Sequence, residues 1–335
     1  RERAETKAGG EAVKAVRIGR RLKAVVFHLF ITLLLIGLMY IFLFPLLTII
    51  VAAFQAPDSV LDPTVMWVPK KLSLEPLKTA MELMRFWPSV GKSMAITILS
   101  TAGTCISCSL AAYGLSRYKF PGKNLIFGLA VLTIVVPPII LTNPAFVDFR
   151  YFDPLKIFTL TSPLTGYTSV NLLDTIWTFV FPAFLGVGLR GGLFIFIFRQ
   201  FFLGAPRELE EAARIDGCGA MRTFLRIIVP LAVPVFVTVI LFSFIWHWND
   251  YYYSASYFIN GVRPITVELN DIGATLYSAG IVGSMSGGDI SQTGATATRS
   301  YIMSGALLTV SVPLALYIFL QRFFTESVER TGIVG

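Results

Sequence analysis

Charge is what this sequence has least of. Asp, Glu, Lys and Arg make up 14% of its 335 residues, whereas soluble globular domains carry about a quarter. With 55% hydrophobic residues and a mean hydropathy of +0.70, the shortage excludes an ordinary soluble enzyme and implies a chain held mostly inside a bilayer. Reactive side chains are scarce as well. Three cysteines and two histidines cannot supply a convincing zinc site, so no metal is expected. Cys105 and Cys108 form C-x-x-C within "GTCISCSLAAYG", where small, apolar neighbours make them buried thiols rather than a redox pair. His28 and His247 fall at opposite ends of the membrane in the topology derived below. No Ser/His/Asp set forms, and no catalytic residue is expected.

Nucleotide-binding motifs are missing too. "GKS" at 91–93 lacks the glycine that a phosphate loop needs five residues before its Gly-Lys pair, because position 86 is Phe. "GVGLRG" at 186–191 satisfies G-x-G-x-x-G, with Glu208 and Glu210 near the spacing of a ribose-binding acid. It lies inside an apolar run, however, and not after the strand of a βαβ unit. No cofactor is expected in this chain. The net charge of +8 has no basic face with interleaved aromatics outside the membrane, so it suggests membrane anchoring and not nucleic-acid binding.

What the sequence has in abundance is long apolar stretches. Crossing about 30 Å of hydrocarbon takes roughly 20 helical residues. Six stretches qualify, at about 25–53, 94–115, 125–147, 176–202, 227–247 and 302–324. The expected fold is all-α: a polytopic membrane protein with six transmembrane helices, preceded by a basic segment, 1–24. The first apolar core is too long for a cleaved signal peptide. Of the 28 Lys and Arg, 18 lie in 1–24, 116–124, 199–226 and the tail after 320, against eight in 54–90, 148–175 and 248–301. Positive charge is retained on the cytoplasmic side, so both termini and segment 199–226 are expected there. Loop 251–300 ends in a Gly-, Ser- and Thr-rich run, expected to be either a mobile spacer or a docking element.

Within the apolar stretches, apart from Arg199 and Arg322 at their ends, Arg190 is the single charged residue. An ATP-independent transporter or channel is the competing reading, yet it calls for an ion relay of midplane charges that is absent here. A membrane-embedded enzyme lacks any constellation. Arg190 is expected to face a polar interior or the pore, with Gly188, Gly191 and Gly192 giving it room. The alternative is that these glycines break the span and let it snorkel to the headgroups. Trp246, Trp248 and Tyr251 to Tyr253 form either an interfacial aromatic belt or a surface for stacking on sugars. Asn249 and Asp250 are expected to anchor the start of the outer loop.

One short stretch breaks the apolar pattern, "EEAARIDGCGAMRTFLRIIVP" at 210–230. Pro206 suits a first helical turn, Glu208, Glu210 and Glu211 complement the positive end of a helix dipole, and Gly217 tolerates positive φ at the stop. The expected helix, about eleven residues or 16 Å long, is too short and too polar to span. Ala212 and Ala213 leave part of it flat for close approach, rimmed by Arg214 and Asp216. On local features alone a solvated loop helix is the simpler reading.

The spacing Glu211-Ala212-Ala213, three residues, Gly217, nine residues, Ile227-Ile228-Val229-Pro230 resembles the EAA loop of permease subunits of binding-protein-dependent ABC importers. Val229 stands where that family usually has Leu. "AAYGLSRYKFPGK" at 111–123, "FRQFF" at 198–202 and "WND" at 248–250 extend the resemblance to the carbohydrate-uptake, maltose-type branch, over most of residues 30–325. Loop 148–175 is longer than that branch leads one to expect, and "GVGLRGG" adds residues to the fourth span. The resemblance implies a type I importer transmembrane domain over 25–335 in a prokaryotic inner or plasma membrane. It implies a second homologous permease, two ATP-binding subunits that hold ATP and Mg, and an extracytoplasmic solute-binding protein as partners. Glu211, Ala212, Ala213, Asp216 and Gly217 would form the helix coupled to the ATPase, with Glu211 meeting a basic residue there. Arg190, Trp248, Asn249 and Asp250 would belong to the translocation path or its outer mouth.

Overall fold

A computed structural model describes residues 2–56, 71–280 and 292–332. The described chain is built of helices: two isolated bridges, Gln55 with Leu72 and Phe152 with Val170, are its extended pairings. In chain order the helices are α1 (Glu2–Ala53), α2 (Glu75–Leu83), α3 (Phe86–Arg117), α4 (Lys123–Val135), α5 (Pro138–Arg150), α6 (Ile157–Thr165), α7 (Trp177–Phe184), α8 (Gly191–Gly204), α9 (Glu208–Ile215), α10 (Ala220–Thr223), α11 (Val229–Leu231), α12 (Val233–Asn249), α13 (Tyr252–Tyr257), α14 (Ile265–Ser278) and α15 (Gln292–Gly332).

Helix α3 is the axle of the molecule and packs against α7, α8, α12 and α14. Its buried face explains why. Ser89, Ser93, Thr97, Ser100, Gly103, Cys105, Cys108 and Ala112 are small enough for neighbouring helices to come close. At Gly103 a Cβ would stand 2.7 Å from the ring of Phe184 on α7. Cys105 and Cys108 are free, buried thiols of this face, as expected. The apolar core around α3 continues into Phe194, Phe198 and Phe202 of α8 and Ile228 and Val239 on the way through α12.

The six apolar stretches are all helical, but three of them run unbroken. Lys23–Ala53, Phe86–Arg117 and Thr298–Ile318 are each long and apolar enough to cross a membrane. The third stretch breaks between α4 and α5. Pro137 forces Val136 into extended backbone at ψ 121 and Pro138 does the same to Pro137 at ψ 133, because a residue before proline is driven out of the α region. The fifth bends by 80° at Ala232, between Pro230 and Pro234, after a π-turn at Phe224–Ile228. The fourth is two helices, α7 and α8. Gly186 at φ +77 ends α7, with Gly186 N–H donating to Ala183 O and Val187 N–H to Pro182 O, a Schellman stop.

The described part of loop 251–300 is largely helical and packed. Its first part forms α13 and α14, and α14 packs on α15, α2 and α3. Arg263 ties this segment together, donating to Glu268 at 3.0 Å and Asp271 at 2.6 Å. The Gly/Ser-rich part, 281–291, lies outside the described residues. Loop 148–175 likewise holds α6, and Asp174 joins it to the segment after α13: its Oδ1 accepts the N–H groups of Ile259 and Asn260 at 2.7 and 2.8 Å. Lys92 Nζ donates to the carbonyls of Asp174 and Val262 at 2.9 and 2.7 Å and lies 4.2 Å from the Phe258 ring centroid.

Candidate functional site

Helix α9 covers Glu208–Ile215, shorter than the eleven residues expected. It starts later because Pro206 precedes the N-cap residue, Arg207, instead of entering the first turn. Arg207 O accepts the N–H groups of both Glu210 and Glu211 at 3.0 Å. The stop is as expected. Gly217 has φ +78, Cys218 N–H donates to Ala213 O at 2.9 Å and Gly217 N–H to Arg214 O at 3.0 Å. This is a second Schellman motif, with the left-handed residue at its usual place.

The two faces of α9 differ. Glu208, Leu209, Glu211, Ala212 and Asp216 are exposed, and Ile215 is 86% exposed. Glu210 and Ala213, three residues apart and therefore on one face, are buried. The pair of alanines is thus split: Ala212 belongs to the free face and Ala213 to the packed one, so the expected flat patch of two alanines is halved.

Glu210, not Glu211, is the acid tied into this chain. Its Oε1 lies 2.6 Å from Arg117 Nε, both side chains being 3–4% exposed. Tyr113 Oη donates to its Oε2 at 3.1 Å. Arg117 Nε is off line for a hydrogen bond to Oε1, so the attraction is ionic in character. Arg117 Nη2 also donates to Ala205 O at 2.9 Å. One guanidinium at the end of α3 therefore holds both the exit of α8 and the base of α9. Arg199 reinforces this end, with Nε donating to Leu115 O at 3.4 Å and the guanidinium 3.9 Å from the Phe127 ring centroid. Sequence reasoning missed this cluster. Its trace was the i, i+3 pairing of Glu210 with Ala213, together with the Tyr113 and Arg117 of "AAYGLSRYKFPGK".

A cavity of about 490 Å³ opens at the far side of α8, where the α4–α5 and α7–α8 breaks face each other and α13 closes one wall. Its polar and aromatic lining comes from Thr133, Phe149, Thr178, Phe179, Arg190, Tyr253 and Tyr257. Arg190 is the N-cap of α8, at φ +60, with its guanidinium 5.5 Å from the Trp246 ring centroid. The turn before it is tight: a Cβ at Gly191 would fall 2.4 Å from Gly186 O, and one at Gly192 2.1 Å from Ala130 O. The glycines therefore break the span and let α8 abut α4. They do not simply leave space for a guanidinium within a continuous helix.

The other outer-mouth candidates are not gathered around this cavity. Trp248 is 1% exposed, stacked on Phe244 and donating Nε1–H to Thr309 O at 3.3 Å. It is a core residue joining α12 to α15, neither pore lining nor belt. Asp250 does anchor the following segment. Its Oδ2 accepts Ser254 N–H at 2.8 Å and its carbonyl accepts Thr266 Oγ1–H at 2.8 Å. Burial pushes its carboxyl up to about 6 against the hydrogen bonds it accepts from Ser254 and Tyr253. Asn249 is exposed and makes no side-chain hydrogen bond among the described residues. None of the described His, Cys, Asp and Glu residues form a group able to hold a metal ion.

Known proteins are similar to this chain in sequence and in fold. A permease protein of the Bacillus subtilis polygalacturonan/rhamnogalacturonan transport system, YtcP, is 26% identical over 87% of this chain and 92% of its own length. The sn-glycerol-3-phosphate transport system permease protein UgpE of Yersinia enterocolitica is 30% identical over 88% of this chain and 92% of its own. The fold resembles a chain in the crystal structure of a bacterial ABC transporter involved in the import of the acidic polysaccharide alginate. The TM-score is 0.62 at 18% identity, covering 89% of this chain and 96% of that one. Residues 103–330, which hold α9, its anchor on α3 and the cavity, match the model of the binding-protein-dependent transport system inner membrane components, and the chain belongs to that family.

Proposed function

We propose that this chain forms half of the translocation pathway of a binding-protein-dependent ABC importer for a carbohydrate, with α9 as the element through which a separate ATPase drives it. The observation that carries this reading is the two-faced geometry of α9. One face is locked to α3 by a buried ion pair, while the other presents Glu211, Ala212, Ile215 and Asp216 to a partner. A helix of eight residues with an isoleucine 86% exposed is suited to insertion in an apolar cleft, and Glu211 to meeting a basic side chain beside it. The cargoes in the relatives' names, polygalacturonan or rhamnogalacturonan, sn-glycerol-3-phosphate and alginate, support a carbohydrate or its derivative.

In this reading ATP and Mg are bound by two ATP-binding subunits, and this chain contributes no catalytic group. A second, homologous permease covers part of the apolar surface left by α1, and an extracytoplasmic binding protein docks at the side of α13 and α14. The protein lies in a prokaryotic inner or plasma membrane with both termini and α9 in the cytoplasm. Closure of the ATPases moves α9, and Arg117 passes that displacement to the cytoplasmic end of α3. Because α3 packs on α7, α8 and α12, it repacks the walls of the cavity and biases the pathway between inward and outward access. The kinked α4–α5 and α10–α12 segments suit such repacking.

The test is Glu211→Lys in the full complex. The side chain is exposed in this chain, so the permease itself should stay folded. Like charges at a partly desolvated contact should instead release the ATPase or abolish its stimulation by several kcal/mol of lost interaction. Normal co-purification of the ATPase and normal uptake in vesicles would refute the coupling role.

A further inference from the structure

We propose that the cavity beside the α7–α8 break is a binding site for an acidic saccharide, with Arg190 receiving its carboxylate. The inference rests on the importer reading and narrows its cargo to carbohydrates that carry negative charge. Four observations lead to it. First, Arg190 is the one charged side chain among the described residues lining the cavity. Second, its guanidinium makes no ion pair or hydrogen bond with any described residue, its neighbour being the face of Trp246 at 5.5 Å. The side chain is exposed, and its five donors, met by no group of the described protein, are open to an anionic partner. Third, Arg190 caps α8, so the positive end of a 14-residue helix points to the same place. Fourth, the remaining lining suits a sugar. Phe149, Phe179, Tyr253 and Tyr257 make part of its wall aromatic, Thr133 and Thr178 supply hydroxyl oxygens that can accept while their protons go to Ala130 O and Thr175 O, and the volume lies within the roughly 300–1,000 Å³ of small-molecule sites.

The acidic groups nearby do not cancel this charge. Asp148 and Asp250 both act on the Tyr257 phenol, yet neither lines the cavity and neither pairs with Arg190. Asp250 is occupied by the N–H of Ser254. The backbone holds the arginine in place: at φ +60, between Gly188 and Gly191, the chain turns sharply enough to bring position 190 to the mouth of the break.

The test uses the chain assembled with its partner subunits in nanodiscs of zwitterionic lipid. Trigalacturonate and maltotriose are titrated separately, and tryptophan fluorescence, to which Trp246 contributes, is read. The expected result is a saturable response to trigalacturonate and none to maltotriose. The affinity should fall by at least about tenfold in Arg190→Gln, the loss expected for a charge-assisted bond, and stay within about threefold in Arg190→Lys, which keeps the charge. Equal affinity in wild type and Arg190→Gln, or an equal response to maltotriose, overturns the proposal. If Arg190→Gln fails to assemble, wild-type titrations from about 0.05 to 0.5 M salt decide, because an affinity independent of salt is incompatible with an ionic site. Nanodiscs containing phosphatidylglycerol separate the rival anion. A response to that lipid that Arg190→Gln removes, with none to trigalacturonate, makes the cavity a headgroup site and ends the saccharide assignment. ATP-driven import of maltotriose with no trigalacturonate binding leaves the importer standing without this site. Trigalacturonate binding at Arg190 with no ATP-driven uptake of any sugar does the reverse.

Discussion

Removing Glu210 should damage this protein more than removing any other acid of α9. Glu210 and Arg117 are 3–4% exposed and 2.6 Å apart, so Glu210→Ala strands a guanidinium that has already lost its hydration. Breaking one side of such a pair costs about 3–5 kcal/mol. Part of this is offset, since Arg117 Nη2 keeps Ala205 O. Tyr113 Oη, in turn, loses its acceptor at 3.1 Å, a further cost of about 1 kcal/mol. A net loss of about 3 kcal/mol should appear as a lower thermal midpoint for the purified complex. Arg117→Met should do comparable harm. The double variant Glu210→Met, Arg117→Met should recover much of the stability, because replacing a buried pair by apolar side chains of similar size is often neutral. Uptake should not recover with it, since the ionic tie between α9 and α3 is gone. The assay is a double-mutant cycle on the thermal midpoint, run beside ATPase-coupled uptake in vesicles. A coupling energy below about 0.5 kcal/mol, the additivity limit for independent sites, would refute the anchoring role of the pair. Full uptake in the stable double variant would refute its mechanical role.

Gly217→Val places a β-branched residue at φ +78, a strain of about 1–2 kcal/mol. It should re-aim α9 while keeping Glu211 in place, so the ATPase should still co-purify while uptake is lost. The Asp174 tie responds to acid. Although desolvation alone would raise its carboxyl, the hydrogen bonds from Asn260 and Ile259 and the charge of Lys92 bring it below the ordinary value. An acid depressed in the folded state lends stability that is present above its unfolded value, about 3.9, and is lost as pH falls through the folded value. Amide exchange at Ile259 and Asn260 should therefore stay slow at neutral pH and quicken at more acidic pH than an unperturbed aspartate would give. Asp174→Ala should make it fast at all pH values, and unchanged exchange in that variant would remove Asp174 as the link.

How far the sequence speaks for itself depends on the length scale of the interaction. The length of the apolar runs located every hydrophobic stretch, and the glycine at 217 declared its own conformation, because a stop after an acidic-to-basic run of eight residues leaves few alternatives. Breaks within the stretches were legible in part: Pro137 and Pro138 are visible breakers, whereas "GVGLRGG" reads equally as room within a helix or as a turn. What decides between these is the approach of Ala130 and Gly186 carbonyls to within 2.4 Å of the missing Cβ atoms, and Ala130 is sixty-two residues from Gly192 in sequence. Trp248 was misplaced for a similar reason. An indole near the end of a span suits the interface by composition, and only its packing against Phe244 and Thr309 turns it inward.

The anchor of α9 was the least legible feature. Glu208, Glu210 and Glu211 look alike as first-turn acids, each favourable toward the helix dipole. Which of them is buried depends on where Arg117 emerges from α3, ninety-three residues before Glu210, and on the turn at Ala205 that lowers α9 onto it. Once that contact is known, the roles separate on geometric grounds. Glu210 and Ala213 share the packed face, and Glu211, Ala212 and Ile215 are left exposed. A motif that reads as one string of acids and alanines is therefore two surfaces: one fixes the helix to its own chain, and the other stays exposed.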